Sequence, residues 1–512
     1  MSKSNSTSKS FIILSIITIV EKVLSFVYQA MIAGMIGANS ISDAYFTSAE
    51  FYTLIDSTLL SALVIVLLNT YTKQTAESGI KKAESFLTNI LRIVLPITLL
   101  LAGVLFVFAY PLSFIIGPGY NDEGREILAK NLKFMSIVPV FLSLTSICLA
   151  VLRQEKKFLI VGLKSLYLST SGIIFVLIAH FTAFPKTNIL CLGYILAYFL
   201  YMTTVCISVN DHHIIKFGFP TFGIKEKALF KMLIPLVISN GILKVSMMID
   251  KIICSTVGEG AVSCLTYSHT LYYFVEALFV TNLSTILLSD FNELSSKGLK
   301  KEIAQKMSRT LSIMTLALMP ITIITIIYRY DIVEIVFMRG TFMESDVFRV
   351  GNLIMIYSIG FVPSVISNIY MQVYYAEGKT NITMKYSLIS IGINITASVL
   401  LSQFIGLNGI AIGTVVSVML SIVLYKRRMH EYVTEYIGFI DLHKLYKLLL
   451  ASITTVAITY LIHTFAENTL LSFLLAAIIG VSTFISIMVA TKDEISLSVV
   501  GLLLKKLKLK SK

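Results

Sequence analysis

Residues 10–36 read SFIILSIITIVEKVLSFVYQAMIAGMI, and this stretch decides the class of the molecule. It stays apolar for longer than the roughly twenty residues that cross a bilayer. It follows the polar, basic segment MSKSNSTSKS, so by itself it could pass for a cleavable leader. Two features favour an uncleaved first helix: Glu21 and Lys22 interrupt the apolar run, and a dozen further apolar runs follow. The whole chain has 512 residues, of which 56% are hydrophobic and 14% charged, with a mean hydropathy of +0.83. Soluble domains carry about 25% charged residues. A chain this apolar uses the bilayer as solvent for much of its surface.

Working outward, spans are expected near 10–36, 43–68, 86–116, 132–152, 158–182, 187–209, 230–255, 261–289, 309–336, 350–376, 382–403, 405–425, 445–464 and 468–490. The predicted fold is therefore all-α and polytopic, with about fourteen transmembrane helices. Basic residues fall in alternate connections: Lys73, Lys81 and Lys82; Arg153, Lys156 and Lys157; Lys216, Lys225 and Lys227; Lys297, Lys300 and Lys301; Lys379; Lys426, Arg427 and Arg428; and the tail from Lys505 to Lys512. The opposite connections are poorer in positive charge and hold Asp122, Glu123, Glu126, Glu259, Glu344 and Asp346. Positive charge marks cytoplasmic loops, so both termini are expected inside. This pattern also accounts for the net charge of +13 without nucleic acid as a partner. The tail LLLKKLKLKSK is basic and amphipathic, suited to anionic head groups.

Other classes find little support. Cys148, Cys191, Cys206, Cys254 and Cys264 lie in or beside apolar runs, with no CxxC pair and no clustering with histidine, so neither a disulfide framework nor a zinc site is expected. The chain has no P-loop, GxSxG or HExxH pattern. No enzyme activity and no cofactor are expected. His212 and His213 stand in a cytoplasmic connection without evident metal-ligand partners. Without a nucleotide site, active transport must draw on an ion gradient or the membrane potential.

The two halves repeat weakly. EKVLSFVYQ at 21–29 stands against LKVSMMIDK at 243–251, with Lys22 matched to Lys244 at an offset of 222. LRQEKKF at 152–158 lies near YYAEGKT at 374–380, with Glu155 matched to Glu377 at the same offset, and GANSIS at 37–42 lies near GEGAVS at 258–263. Duplicated halves are common in secondary transporters, with the substrate site between them. Three parts are expected: an N-lobe over 1–215, a C-lobe over 216–430, and two extra helices with a basic tail over 431–512.

Ionisable groups inside the bilayer are costly and usually face a cavity or a partner. Here they gather in the first two helices of each lobe: Glu21, Lys22, Glu50 and Asp56 in one, and Lys244, Asp250, Lys251, His269 and Glu276 in the other. Lys22 and Lys244 would offer paired ammonium groups for a phosphate or diphosphate. The competing reading of these charges is internal ion pairing, with Lys251 reaching toward the interface.

With these residues in hand, the chain resembles the MurJ (MviN) family of lipid II flippases, within the larger group that includes MATE exporters and polysaccharide flippases. The resemblance rests on KVLSFVYQAMIAGMIGANSISDAYF at 22–46, FIIGPGY at 114–120, LKFMSIVPVFLSLTSICLAVL at 132–152, VFMRGTF at 336–342, YYAEGKT at 374–380 and GLNGIAIGTVVSVML at 406–420, in order along nearly the whole chain. It implies fourteen helices, two lobes arranged in a V, a central cationic cavity and alternating access driven by membrane potential. It also implies an undecaprenyl-diphosphate-linked muropeptide as substrate and a bacterial cytoplasmic membrane as location.

Several positions depart from the family pattern. Lys22 stands where the family has arginine, Tyr28 where it has a second arginine, and Gln29 where it has an acid. Asp56 lies near a third arginine position and Thr270 near a fourth, while Asp43 matches the family's acid at the start of the second helix. Lys244 stands where the family has an uncharged polar residue. The expected substrate-binding set is thus Lys22, Lys244, Asp43, Asp56, Glu21, Glu50, Tyr28, His269 and Thr270. Three other readings stand beside the lipid II flippase. A flippase for a capsular or exopolysaccharide unit would follow from the thinner cationic lining. A MATE-type cation-coupled exporter would use Glu50, Asp56 and Glu276. A cell-wall scaffold would have no use for buried charge.

Overall fold

The computed structural model describes residues 2–501 apart from 183, 213, 215–217, 222, 433–441, 467, 494, 495, 499 and 500. The expected contacts of His213, Lys216 and the basic tail from Lys505 lie outside the described residues. Among the described residues the regular structure is entirely helical.

In chain order the first helices are α1 (Ser2–Ile36), α2 (Ser40–Ile55), α3 (Ser61–Ser78), α4 (Ile80–Val107), α5 (Ala109–Ile116), α6 (Asp122–Met135), α7 (Val138–Gln154), α8 (Phe158–Gly162), α9 (Lys164–Phe181), α10 (Lys186–Ser208) and α11 (Ile224–Val257). Then follow α12 (Ala261–Glu276), α13 (Asn282–Ser296), α14 (Lys300–Ile327), α15 (Arg329–Phe337), α16 (Glu344–Ile359), α17 (Phe361–Ala376), α18 (Thr380–Ile405), α19 (Leu407–Arg427), α20 (Met429–Tyr432), α21 (Leu442–Phe465) and α22 (Thr469–Ala490). Among the described residues eleven helices, taken with their continuations, are long and apolar enough to cross a membrane, or twelve if α16 and α17, bent by 42°, count as one span. The other two expected spans are also helical: α11 carries Lys244, Asp250 and Lys251, and α12 runs through a π turn into α13. The chain is a polytopic all-α membrane protein. Leu100, Val107, Ile115 and Phe404 stand exposed on these helices, as lipid-facing side chains do.

The halves repeat in their elements. A π turn at Asp56–Leu60 separates α2 from α3, and a second at Ala277–Thr281 separates α12 from α13, 221 positions on. The starts of α6 and α16, at Asp122 and Glu344, differ by 222.

The chain forms two compact units. The first comprises residues 1–266 and the segment Arg339–Met343; the second comprises 267–338 and 344–512. The seventh long helix, α11, therefore belongs to the first unit.

In the first unit α7 lies at the centre, buried along almost its whole length against α3, α4 and α10. Its small polar residues allow close approach and supply hydrogen bonds: Thr98 donates to Ser143 Oγ at 3.1 Å, and Ser146 Oγ donates to Leu60 O at 3.3 Å. The second of these serves a carbonyl at the π turn, where regular i to i+4 bonding is interrupted. Asn39 caps α2, its side chain accepting from Ile41 N and Ser42 N while Ser42 Oγ accepts from Asn39 N. The RGT turn of VFMRGTF also belongs to this unit. Thr341 N donates to Gly34 O at 2.9 Å, and Gly340 has φ +57° with the carbonyl oxygen of Gly34 only 2.1 Å from where a Cβ would stand. Both the backbone conformation and the space demand glycine there.

In the second unit α21 and α22 pack on α14 through Leu316, Leu448, Ala451, Phe484 and Met488. Tyr328 and Ser472 share a hydroxyl hydrogen bond of 2.8 Å, and His463 Nε2 meets Asp331 Oδ2 at 3.1 Å.

Candidate functional site

Several charges of the first unit, on α1, α2, α9, α11 and the π turn at Asp56, are arranged in pairs. On α2, successive helical turns place Phe46 and Glu50 on one face. Lys251 of α11 reaches that face, with its Nζ 3.1 Å from Glu50 Oε2 and donating to Phe46 O at 3.1 Å. Only 8% of the Lys251 side chain is exposed. Six residues beyond Glu50, Asp56 opens the π turn and pairs with Lys164, the first residue of α9. The Lys164 ammonium also lies 5.3 Å from the centre of the Tyr198 ring, within cation–π range. Both pairs obey the rule that a charge taken out of water needs a partner.

The third pair is looser. Lys22 Nζ is 3.6 Å from Glu21 Oε2, beyond the usual 2.7–2.9 Å of a charge-assisted hydrogen bond, and the lysine side chain remains 44% exposed. Lys244 is half-buried on α11; its Nζ lies 3.5 Å from Met247 Sδ, and no carboxylate partners it among the described residues. The two lysines matched by the internal repeat are thus the least neutralised of the four.

Asp43 has a different setting. It is fully buried, and its oxygens accept from Gly260 N (2.7 Å), Ser263 N (2.7 Å) and Ser263 Oγ (2.5 Å). These are the donors at the start of α12, so Asp43 holds a helix N-terminus, where negative charge is favoured. Glu259 acts in the opposite direction, accepting from Ser40 N at 3.0 Å and Ser40 Oγ at 2.6 Å at the start of α2.

Tyr28 and Glu21 meet at a pocket of about 220 Å³ lined by α1, α2, α9 and α10. Its walls include Gln29, Tyr45 and Tyr194, and the Tyr28 and Tyr45 hydroxyls share a hydrogen bond of 2.6 Å. A second pocket of about 350 Å³ in the same unit is almost wholly apolar, between Leu59, Leu63, Ile97, Leu101, Phe230 and Ile234.

His269 and Thr270 belong to α12 in the second unit. His269 Nε2 is 3.0 Å from Tyr357 OH, and its ring lies against Tyr273 and Tyr357, in an aromatic cluster that continues through Tyr272 to Phe361. Thr270 is half-buried beside it. Glu276 is reached by Ser364 Oγ at 3.2 Å.

The structure adds two features that the sequence reading left out. Lys164 falls inside the expected span 158–182, where a basic residue is a signal in itself. His212, left without partners in the sequence, bridges two carboxylates: Nδ1 is 2.8 Å from Glu84 Oε1 and Nε2 is 2.6 Å from Glu155 Oε1. Glu155 also pairs with Lys157 at 2.8 Å. Burial alone would lower the His212 pKa, but the two carboxylates outweigh it and hold it above the ordinary value. Among the described residues no group of three or more acidic, histidine or cysteine side chains is placed to hold a metal ion.

Comparison with known proteins places this arrangement in a family. The model of the family described as "Lipid II flippase MurJ" matches residues 32–480. A curated relative from Buchnera aphidicola (subsp. Acyrthosiphon pisum), described as a probable lipid II flippase MurJ, is 24% identical over 83% of this chain and 84% of its own length. One of the same description from Rickettsia prowazekii is 25% identical over 83% of this chain and 84% of its own length. Among solved structures, a lipid II flippase MurJ in an inward closed conformation is similar in fold, with a TM-score of 0.81 at 20% identity over 94% of this chain and all of that one. An inward-facing MATE-family multidrug transporter shares the fold more distantly, with a TM-score of 0.67 at 10% identity over 81% of this chain and 96% of its own. With the family model covering most of its length, the chain belongs to the lipid II flippase MurJ family.

Proposed function

We propose that this chain flips an undecaprenyl-diphosphate-linked cell-wall precursor of the lipid II class from the inner to the outer leaflet of a bacterial cytoplasmic membrane. Family membership carries the reading. The lysines supply the chemistry. Lys164 and Lys251 are committed to carboxylates, whereas Lys22 and Lys244 keep ammonium groups that a diphosphate can claim. A lysine is a point charge with rotatable donors and grips diphosphate less specifically than the planar fork of arginine. Two lysines therefore suit a site that must also release its cargo. In this reading both termini lie in the cytoplasm, membrane lipids surround the helices, and the membrane potential drives the cycle.

The test is complementation. In a bacterium depleted of its own lipid II flippase, this chain restores growth, and the Lys22→Ala, Lys244→Ala double variant, present in the membrane at equal abundance, does not. Failure of the wild-type chain, with the protein shown to be in the membrane, overturns the lipid II assignment. One observation favours a second cargo. Asp56, near a position where arginine is expected, is neutralised by Lys164 and so adds no positive charge. A flippase for a capsular or exopolysaccharide unit on the same carrier lipid would fail the complementation yet restore polysaccharide export in a strain lacking that flippase.

A further inference from the structure

We propose that the pocket between α1, α2, α9 and α10 is a subsite for a primary ammonium group. Its twelve lining residues include one formally charged side chain, Glu21, and no basic one. Gln29 also stands in the wall. Tyr28, Tyr45 and Tyr194 add phenol rings to the wall, and Ser25, Ser165 and Ser169 add hydroxyls. A carboxylate, three serine hydroxyls and three phenol rings around one space are complementary to an alkylammonium, which offers three donors and a charge that rings attract. An anion has no basic partner there.

The neighbouring residues are consistent with this assignment. Glu21 is held by Lys22 only loosely, at 3.6 Å, with 13% of the Glu21 side chain exposed. A diphosphate drawing Lys22 away would leave Glu21 for the ammonium, so one head group bearing both charges would satisfy both residues. That link rests on the flippase reading; the binding of an amine does not. Gly172 sets the shape of the pocket. A Cβ there would stand 2.5 Å from the Tyr28 ring, so Gly172→Ala forces the ring to move.

The experiment uses the full chain in lipid nanodiscs and reads thermal stability by circular dichroism against n-butylammonium chloride, with sodium chloride at equal ionic strength as the control. Butylammonium raises the melting temperature of the wild-type chain above the control, and the apparent affinity falls roughly tenfold in Glu21→Gln, in line with loss of one charged partner. Gly172→Ala weakens it as well, and it carries the comparison should Glu21→Gln fail to fold. Equal stabilisation by sodium, or an amine effect unchanged in both variants, overturns the proposal. Two substrate forms locate the source of the ammonium. Acetylating the amine of a lipid-linked glycopeptide slows its transfer by the wild-type chain and not by Glu21→Gln when the ammonium is the cargo's own. Acetylation without effect, alongside Glu21-dependent butylammonium binding, assigns the subsite to a free amine. Absence of transfer by the wild-type chain with intact amine binding would count against the flippase reading alone.

Discussion

At the scale of single residues, the interior of the first unit is organised by neutralisation. Glu50 with Lys251 and Asp56 with Lys164 are buried pairs, and removing one member strands the other in a low-dielectric setting. Lys164→Ala is therefore expected to destabilise the chain by about 2–3 kcal/mol, less than the roughly 3–5 kcal/mol of a fully buried pair because both groups keep some exposure. The exchange Asp56→Lys with Lys164→Asp should recover most of that loss. Thermal unfolding of the two single variants and the double variant gives the coupling directly, and simple additivity would show that the pair does not interact. The membrane position of these charges was legible in the sequence, because ionisable residues stand out in apolar runs. Their pairing was not, because Asp56 and Lys164 are 108 positions apart and meet only through the packing of helices.

At the scale of elements, helix ends and connections carry their own devices. Asp43 satisfies three donors at the start of α12, so Asp43→Ala should cost roughly 2–3 kcal/mol and expose the 258–263 connection to limited proteolysis. Asp43→Asn, which keeps an acceptor, should cost less. Equal protease resistance in all three proteins would remove the capping account. An acidic residue at a helix start was visible in the sequence, but its use by a helix some 220 positions away was not. His212 joins the connections around α4, α7 and α10 through Glu84 and Glu155. Both of its ring nitrogens face carboxylates, which only accept, so the bridge is complete when the imidazole is protonated. Its folded pKa is raised, so this contribution to stability is full below the unfolded value of about 6.5 and is lost as pH rises through the folded value. The melting temperature of the wild-type chain should therefore drop toward alkaline pH by roughly a degree or two more than that of His212→Gln. Parallel pH profiles would contradict the bridge.

At the scale of the whole molecule, hydropathy and loop charge were enough to predict a polytopic helical protein, because each bilayer crossing demands its own long apolar run. The duplication was legible at an offset of 222 and reappears in the two π turns, 221 positions apart. The π turns themselves left no mark in the sequence, since an inserted residue changes backbone bonding without changing composition. The same holds for the polar pocket, whose walls come from four helices that only the fold assembles. The central claim is that this assembly moves a diphosphate-linked lipid between leaflets, gripping it with Lys22 and Lys244. The most direct measurement reconstitutes the chain in liposomes that carry lipid II in the inner leaflet, imposes a membrane potential, and follows the fraction that an externally added lipid II-cleaving enzyme can reach. The account predicts that this fraction rises with the wild-type chain and stays at the protein-free level with Lys22→Ala, Lys244→Ala. Transfer by the double variant at the wild-type rate, or none by a folded wild-type chain, would contradict it.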